Sequence, residues 1–162
     1  MHAPMQSYFQ DVKHILCYVN GILSNGLKFT PGSLQIRGYS DADWVGDPHD
    51  RRSISGYCVF LGNIPVIWSA KKQDTVAPCS TEAEYRVLAQ VAAEISWLQM
   101  LLSDFHITTA IPHVWCDNLS SIALTSNLVF HARTKHIKVD YHYIREQVMA
   151  KKLHVHHISS ID

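Results

Sequence analysis

The sequence predicts an α/β fold: a mixed five-stranded sheet with helices packed on it. Three observations carry this reading. Five strand-like apolar runs, at 34–40, 55–61, 64–70, 112–116 and 153–159, share the chain with segments of helical periodicity. The second and third runs are joined by Gly62-Asn63 alone, a two-residue loop whose leading glycine suits a type II′ turn, so they pair antiparallel. The resulting order of strand, hairpin, helix, strand, helix, helix, strand leaves later strands that reach the sheet only through helical crossovers, which makes the sheet mixed.

Composition bounds the rest. The 162 residues are 47% hydrophobic and 17% charged, enough for one well-packed globular domain with an appendage and unlike disordered or collagen-like chains. The net charge of +0 gives no whole-molecule attraction for nucleic acid, although the 11 histidines would make the protein cationic on mild acidification. Four cysteines, at 17, 58, 79 and 116, show neither C-x-x-C spacing nor framework density, which points to reduced thiols. There is no signal peptide, and no apolar run approaches the roughly 20 residues of a membrane span. A soluble, intracellular, cytoplasmic protein without a membrane partner is expected.

Taken in order, residues 4–23 form a helix on the stripe Phe9, Val12, Leu16, Val19 and Leu23, ended by Asn20-Gly21 and Asn25-Gly26. Pro31-Gly32 separates it from the first strand, so 1–32 is expected to be a helical appendage and 33–162 the main domain. The strand at 34–40 runs into Asp41 and Asp43 before a turn at Gly46-Asp47-Pro48. A carboxylate at the end of an apolar strand has to be solvated, paired or metal-bound, and a turn-forming role for Asp41 is the plain alternative. After the hairpin and Lys71-Lys72-Gln73, Ser80 or Thr81 caps a helix reaching about residue 105. Its stripe is Leu88, Val91, Ile95, Leu98 and Leu102, and one turn back that stripe meets Glu84 rather than Glu82. Glu82 is therefore expected in an exposed (i, i+4) pair with Arg86, and Glu84 on the buried face. A capping box from Thr81 to Glu84 is the alternative for Glu84.

The strand at 112–116 ends in Asp117-Asn118 and leads into a helix at 119–126, which Asp117 could cap. A helix at 134–152 turns Ile137, Tyr141, Ile144 and Val148 inward and places Lys135, Lys138, Arg145, Lys151 and Lys152 elsewhere, either as a nucleic-acid face or as a solvated one. The closing strand at 153–159 carries His154, His156 and His157, which alternation divides between two faces rather than gathering on a metal. Asp41, Glu84 and Asp117 can thus converge at one edge of the sheet. Such a set suits two divalent ions that activate water and stabilise a leaving oxygen, the chemistry of a metal-dependent phosphodiesterase.

The segments YSDADWVGD, SGYCVFLGNIPVIWSAKKQ, STEAEYRVLAQ, VWCDN and HARTKHIKVDYHYIRE, in this order, resemble the ribonuclease H domain of copia-type LTR retrotransposon Pol polyproteins over residues 33–162. Residues 1–32, with VKHILCYVNGILSNGLKF, resemble the tail of the preceding reverse transcriptase or its connection; no polymerase YVDD motif is present. The resemblance implies a ribonuclease H-like fold and hydrolysis of the RNA strand of RNA–DNA hybrids during reverse transcription. It implies two Mg²⁺ (or Mn²⁺) ions on Asp41, Glu84 and Asp117, a reverse transcriptase portion as partner, and a virus-like particle as the setting. Cys79 stands where the family usually has serine. The family's fourth carboxylate lies beyond the closing strand, so the domain is expected to be C-terminally truncated, with Asp140 as a further candidate ligand that the resemblance does not place in the site. Two other readings remain at this stage: a catalytically inactive remnant that only binds nucleic acid or a partner protein, and a transposase-type nuclease. The second is disfavoured because Glu84 lies between the two aspartates.

Overall fold

A computed structural model describes residues 6–46, 49–126 and 138–159. The chain divides into two compact units, Met1–Thr30 and Pro31–Asp162. The first holds α1 (Gln6–Gly21), somewhat shorter than the periodicity predicts and ending at Asn20-Gly21.

The second unit contains β1 (Ile36–Asp43), β2 (Ile54–Leu61), β3 (Ile64–Lys72), α2 (Ser80–Asp104), β4 (His113–Cys116), α3 (Leu119–Ser126), α4 (Lys138–Met149) and β5 (His154–His157). The strands form one five-stranded sheet in the order β3-β2-β1-β4-β5. β1–β2 and β2–β3 are antiparallel, whereas β1–β4 and β4–β5 are parallel, so the sheet is mixed as expected. Gly62, at φ 62°, opens the two-residue link between Leu61 and Ile64, as the hairpin reading requires. Expected residues 134–137 of the last long helix, including Lys135 and Ile137, lie outside the described residues. Lys151 and Lys152 follow α4 rather than belonging to it, with Lys151 in the left-handed region. Among the described residues no helix is long and apolar enough to cross a membrane.

The core lies between the sheet and α2. Leu88, Val91, Ile95, Leu98 and Leu102 are all buried, as their spacing predicts, and they pack with Ile36, Val59 and Val114 of the sheet and Ile144 of α4. Full burial of such side chains stabilises the fold by roughly 1.5–3 kcal/mol each. Gly38 lets β1 approach α2: a Cβ there would come within 2.7 Å of Val91 Cγ1 and 3.0 Å of Ile95 Cδ1. On the other face of the sheet, Phe60, Tyr39 and Trp115 form a row of ring contacts that continues into His113 and His156. His113 Nδ1 lies 2.7 Å from His156 Nε2, while His157 Nε2 lies 3.1 Å from the Asp117 carbonyl oxygen.

Candidate active site

The backbone register brings the acids together. β1 and β4 run parallel with Ser40 opposite Cys116, so Asp41 and Asp117 each follow that pair at the same end of the central strands. β1 continues through Asp43, further than the expected stop at Ser40, because its antiparallel pairing with β2 carries on through Asp41–Gly56, Ala42–Ser55 and Asp43–Ile54. The first turns of α2 cross this end. Glu84, 5% exposed, accepts the Ala42 N–H at 2.9 Å through Oε1, and its Oε2 faces Cys116 Sγ at 3.9 Å. One ligating atom from each of Glu84, Cys116 and Asp117 lies within 4.8 Å of the others. Asp41 and Asp117 are exposed at the rim and Glu84 lies behind them.

This crowding shows in their protonation. Burial, reinforced by the charges of Asp117 and Asp41, pushes Glu84 up to about 7 despite the Ala42 N–H. Burial raises Asp41 as well, with Asp117 and Asp43 adding to it and the Ala42 backbone opposing. The Cys116 thiol is pushed up to about 11, chiefly by burial. The charged groups acting on Asp41 and Glu84 are thus carboxylates, gathered against their mutual repulsion. A divalent cation would offset both causes at once, and the carboxylate oxygens of Asp41, Glu84 and Asp117 suit a hard divalent ion, with the Cys116 sulfur beside them. The residues present fit that group.

The simpler roles considered from sequence do not hold. No capping box forms, since Glu84 is engaged with Ala42; the N-cap of α2 is Cys79, not Ser80 or Thr81, and it makes no side-chain cap bond. Asn118, rather than Asp117, caps α3 by accepting the Ser121 N–H at 2.9 Å. Glu82 needs correction. It pairs with Arg86 at 2.6 Å, but the pair is buried rather than exposed, with side chains only 6% and 15% accessible. Arg86 also donates to Thr75 Oγ1 and to the Thr75 carbonyl oxygen, contacts from the loop before the helix that helical spacing does not reveal. Asp140 is not in the Glu84–Cys116–Asp117 group. At the start of α4 it feels burial and the charge of Arg86, and its own charge acts on Tyr85, not on Asp41 or Glu84.

Sequence reasoning missed three supporting residues. Gln73 is buried and donates from Nε2 to Ser55 Oγ and the Ala83 carbonyl oxygen, tying β2 to the first turn of α2. Ser121 donates to the Thr81 carbonyl oxygen at 3.0 Å, fastening α3 to the same turn. Cys116 read only as the apolar end of a strand, although its alternation with Val114 could have placed it on the helix-facing side beside Glu84.

No family model matches the chain. Among solved structures, LC11-RNase H1 in complex with an RNA/DNA hybrid superposes with a TM-score of 0.57 at 15% identity, covering 78% of this chain and 87% of that one. The unit from Pro31 onward therefore has a ribonuclease H-like α/β fold. The sequence is more specific. The retrovirus-related Pol polyprotein from transposon RE1 of Arabidopsis thaliana is 44% identical over 164 residues, 100% of this chain and 11% of that protein. The corresponding polyprotein from transposon TNT 1-94 of Nicotiana tabacum is 38% identical over 160 residues, 99% of this chain and 12% of that protein. These relatives are retrovirus-related Pol polyproteins of transposons, and the chain spans only about a ninth of their length.

Proposed function

We propose that the ribonuclease H-like unit hydrolyses the RNA strand of RNA–DNA hybrids, working beside the reverse transcriptase portion of a retrotransposon polyprotein in a cytoplasmic particle. The observation that carries this reading is the meeting of Asp41, Glu84 and Asp117 at one end of the β1–β4 pair. The fold neighbour that binds an RNA/DNA hybrid and the polyprotein relatives agree with it.

Asp41, Glu84 and Asp117 are the residues that would hold Mg²⁺ or Mn²⁺, which when bound supplies an activated water and stabilises charge on the leaving oxygen. The chain's own part is positioning. The Ala42 N–H holds one oxygen of Glu84 and leaves the other beside Cys116 and Asp117. Gln73 and Ser121 keep the first turn of α2 in place against β2 and α3. The exposed aspartates leave the rim open to a phosphodiester, while the buried Glu84 closes the site from behind. A buried carboxylate held this way lets the site keep its shape through turnover.

The test is cleavage of a hybrid labelled on its RNA strand. Cleavage of that strand alone, dependent on Mg²⁺ or Mn²⁺, stopped by chelation and lost in Asp117→Asn, is the expected result. A folded chain that cleaves nothing at any Mg²⁺ or Mn²⁺ concentration overturns the reading and leaves an inactive remnant.

A further inference from the structure

The three carboxylates share their pocket with a thiol that hydrolysis does not use. Cys116 is fully buried at the end of β4. Its Sγ accepts the Asn118 N–H at 3.5 Å and faces Glu84 Oε2 at 3.9 Å, a separation at which a thiol hydrogen bond contributes little. Glu84 is also held in the interior, with Oε1 occupied by the Ala42 N–H, so its second oxygen is left to the thiol. Asp117 completes a triad whose ligating atoms lie within 4.8 Å of one another. Around a tetrahedral ion with a metal–sulfur bond near 2.3 Å and metal–oxygen bonds near 2.1 Å, such donors stand roughly 3.5 Å apart, so closure by about an ångström suffices. The exposed Asp117 side chain is free of the packing that fixes the other two and can supply that movement.

A thiol with two carboxylates is a donor set that Mg²⁺ gains little from and that borderline or soft ions prefer. We infer that Glu84, Cys116 and Asp117 form a site for one thiophilic divalent cation, Zn²⁺ or Cd²⁺, which excludes the hydrolytic ions by taking two of their carboxylates. Binding forms a metal–sulfur bond, breaks the Cys116 S–H bond and releases that proton to solvent, with no change of oxidation state. The exclusion rests on the hydrolytic reading above, but the binding does not.

The experiment uses the full chain with Cys17, Cys58 and Cys79 changed to serine, leaving Cys116 as its one thiol. Cd²⁺ is titrated and the ultraviolet thiolate-to-Cd²⁺ charge-transfer band recorded, with Zn²⁺ measured by displacement of Cd²⁺. A band that saturates at one ion per chain is expected. Cys116→Ser in this background abolishes it, and Glu84→Gln and Asp117→Asn each weaken Cd²⁺ binding by at least about tenfold. Thermal melting checks each fold, and Cys116→Ala serves where the serine variant melts early. Absence of the band, or an affinity unchanged in both carboxylate variants, overturns the site. In the cleavage assay Zn²⁺ inhibits in the presence of Mg²⁺, and Cys116→Ser raises the Zn²⁺ needed by at least about tenfold relative to its own Mg²⁺ rate. A chain that never cleaves hybrid defeats the hydrolytic reading, while the Cd²⁺ titration still decides the site.

Discussion

The two sides of the first turns of α2 bury one glutamate each, and to opposite electrostatic ends. Glu82 lies against Arg86, which is held in turn by Thr75 and the neighbouring Gln73. Glu84, two residues on and equally inaccessible, faces Asp41 and Asp117 and is answered by one backbone N–H. One side is neutralised within the chain. The other concentrates like charge, which is relieved either by protonation of Glu84 or by an outside cation. Burial of an acid therefore does not distinguish structure from chemistry, but the sign of its surroundings does.

The largest expected difference is in turnover. Glu84→Gln lowers metal-dependent hybrid cleavage by more than about a hundredfold with the fold retained, because the amide keeps volume and hydrogen bond but loses the charge. Glu82→Gln leaves the rate per folded molecule nearly unchanged; equal losses in both variants, measured with matched circular dichroism, would dissolve the contrast.

Stability should show the converse. Glu82→Gln leaves the half-buried Arg86 beside a neutral group and costs about 1–3 kcal/mol in urea unfolding. The double change Glu82→Leu with Arg86→Met should cost less than Glu82→Gln alone, since it removes both charges.

The third expectation concerns pH in metal-free protein. The folded-state value of Glu84 is raised from 4.5 to about 7, so between these the unfolded chain has lost the proton that the folded chain keeps. Stability from this group is full below 4.5 and falls as pH rises through 7, by up to about 3 kcal/mol. Melting followed from pH 5 to about pH 8 should show that decline, Glu84→Gln should flatten it, and millimolar Mg²⁺ should raise Tm more at the alkaline end. A native protein whose metal-free stability rises over this range contradicts the assignment.

The smallest effect lies at the helix start. Cys79 occupies the N-cap with extended backbone, φ −151° and ψ 164°, but makes no side-chain cap bond. Cys79→Ser should add about 0.5–1 kcal/mol by supplying the missing acceptor, read as a rise in Tm with unchanged metal dependence.

Much of this was legible before the fold was known. The stripe from Leu88 to Leu102 located the buried face of α2, and stepping it back one turn placed Glu84, not Glu82, against Ala42 of β1. It failed on the burial of Glu82, because its partner Arg86 is anchored by Thr75 in a loop that periodicity does not describe. The extension of β1 through Asp43 was missed for a related reason. Aspartate disfavours strands by itself, and it is the partner strand β2 that holds those residues in the ladder. Asp140 could be weighed only by its position on a helix, which does not say that the charge it feels is that of Arg86.

The parallel pairing of β1 with β4 has a kinetic meaning. β1, β2 and β3 are near neighbours in the chain, whereas the pairing of β4 with β1 closes over the whole of β2, β3 and α2. Contacts closed over such long separations form late and slowly. Asp41 and Asp117 become neighbours only through that long-range pairing, so a chain in which it has not yet formed offers an ion no more than scattered carboxylates. Ions bound at these acids would therefore slow unfolding without hastening folding, and their retention would mark the molecules that have finished.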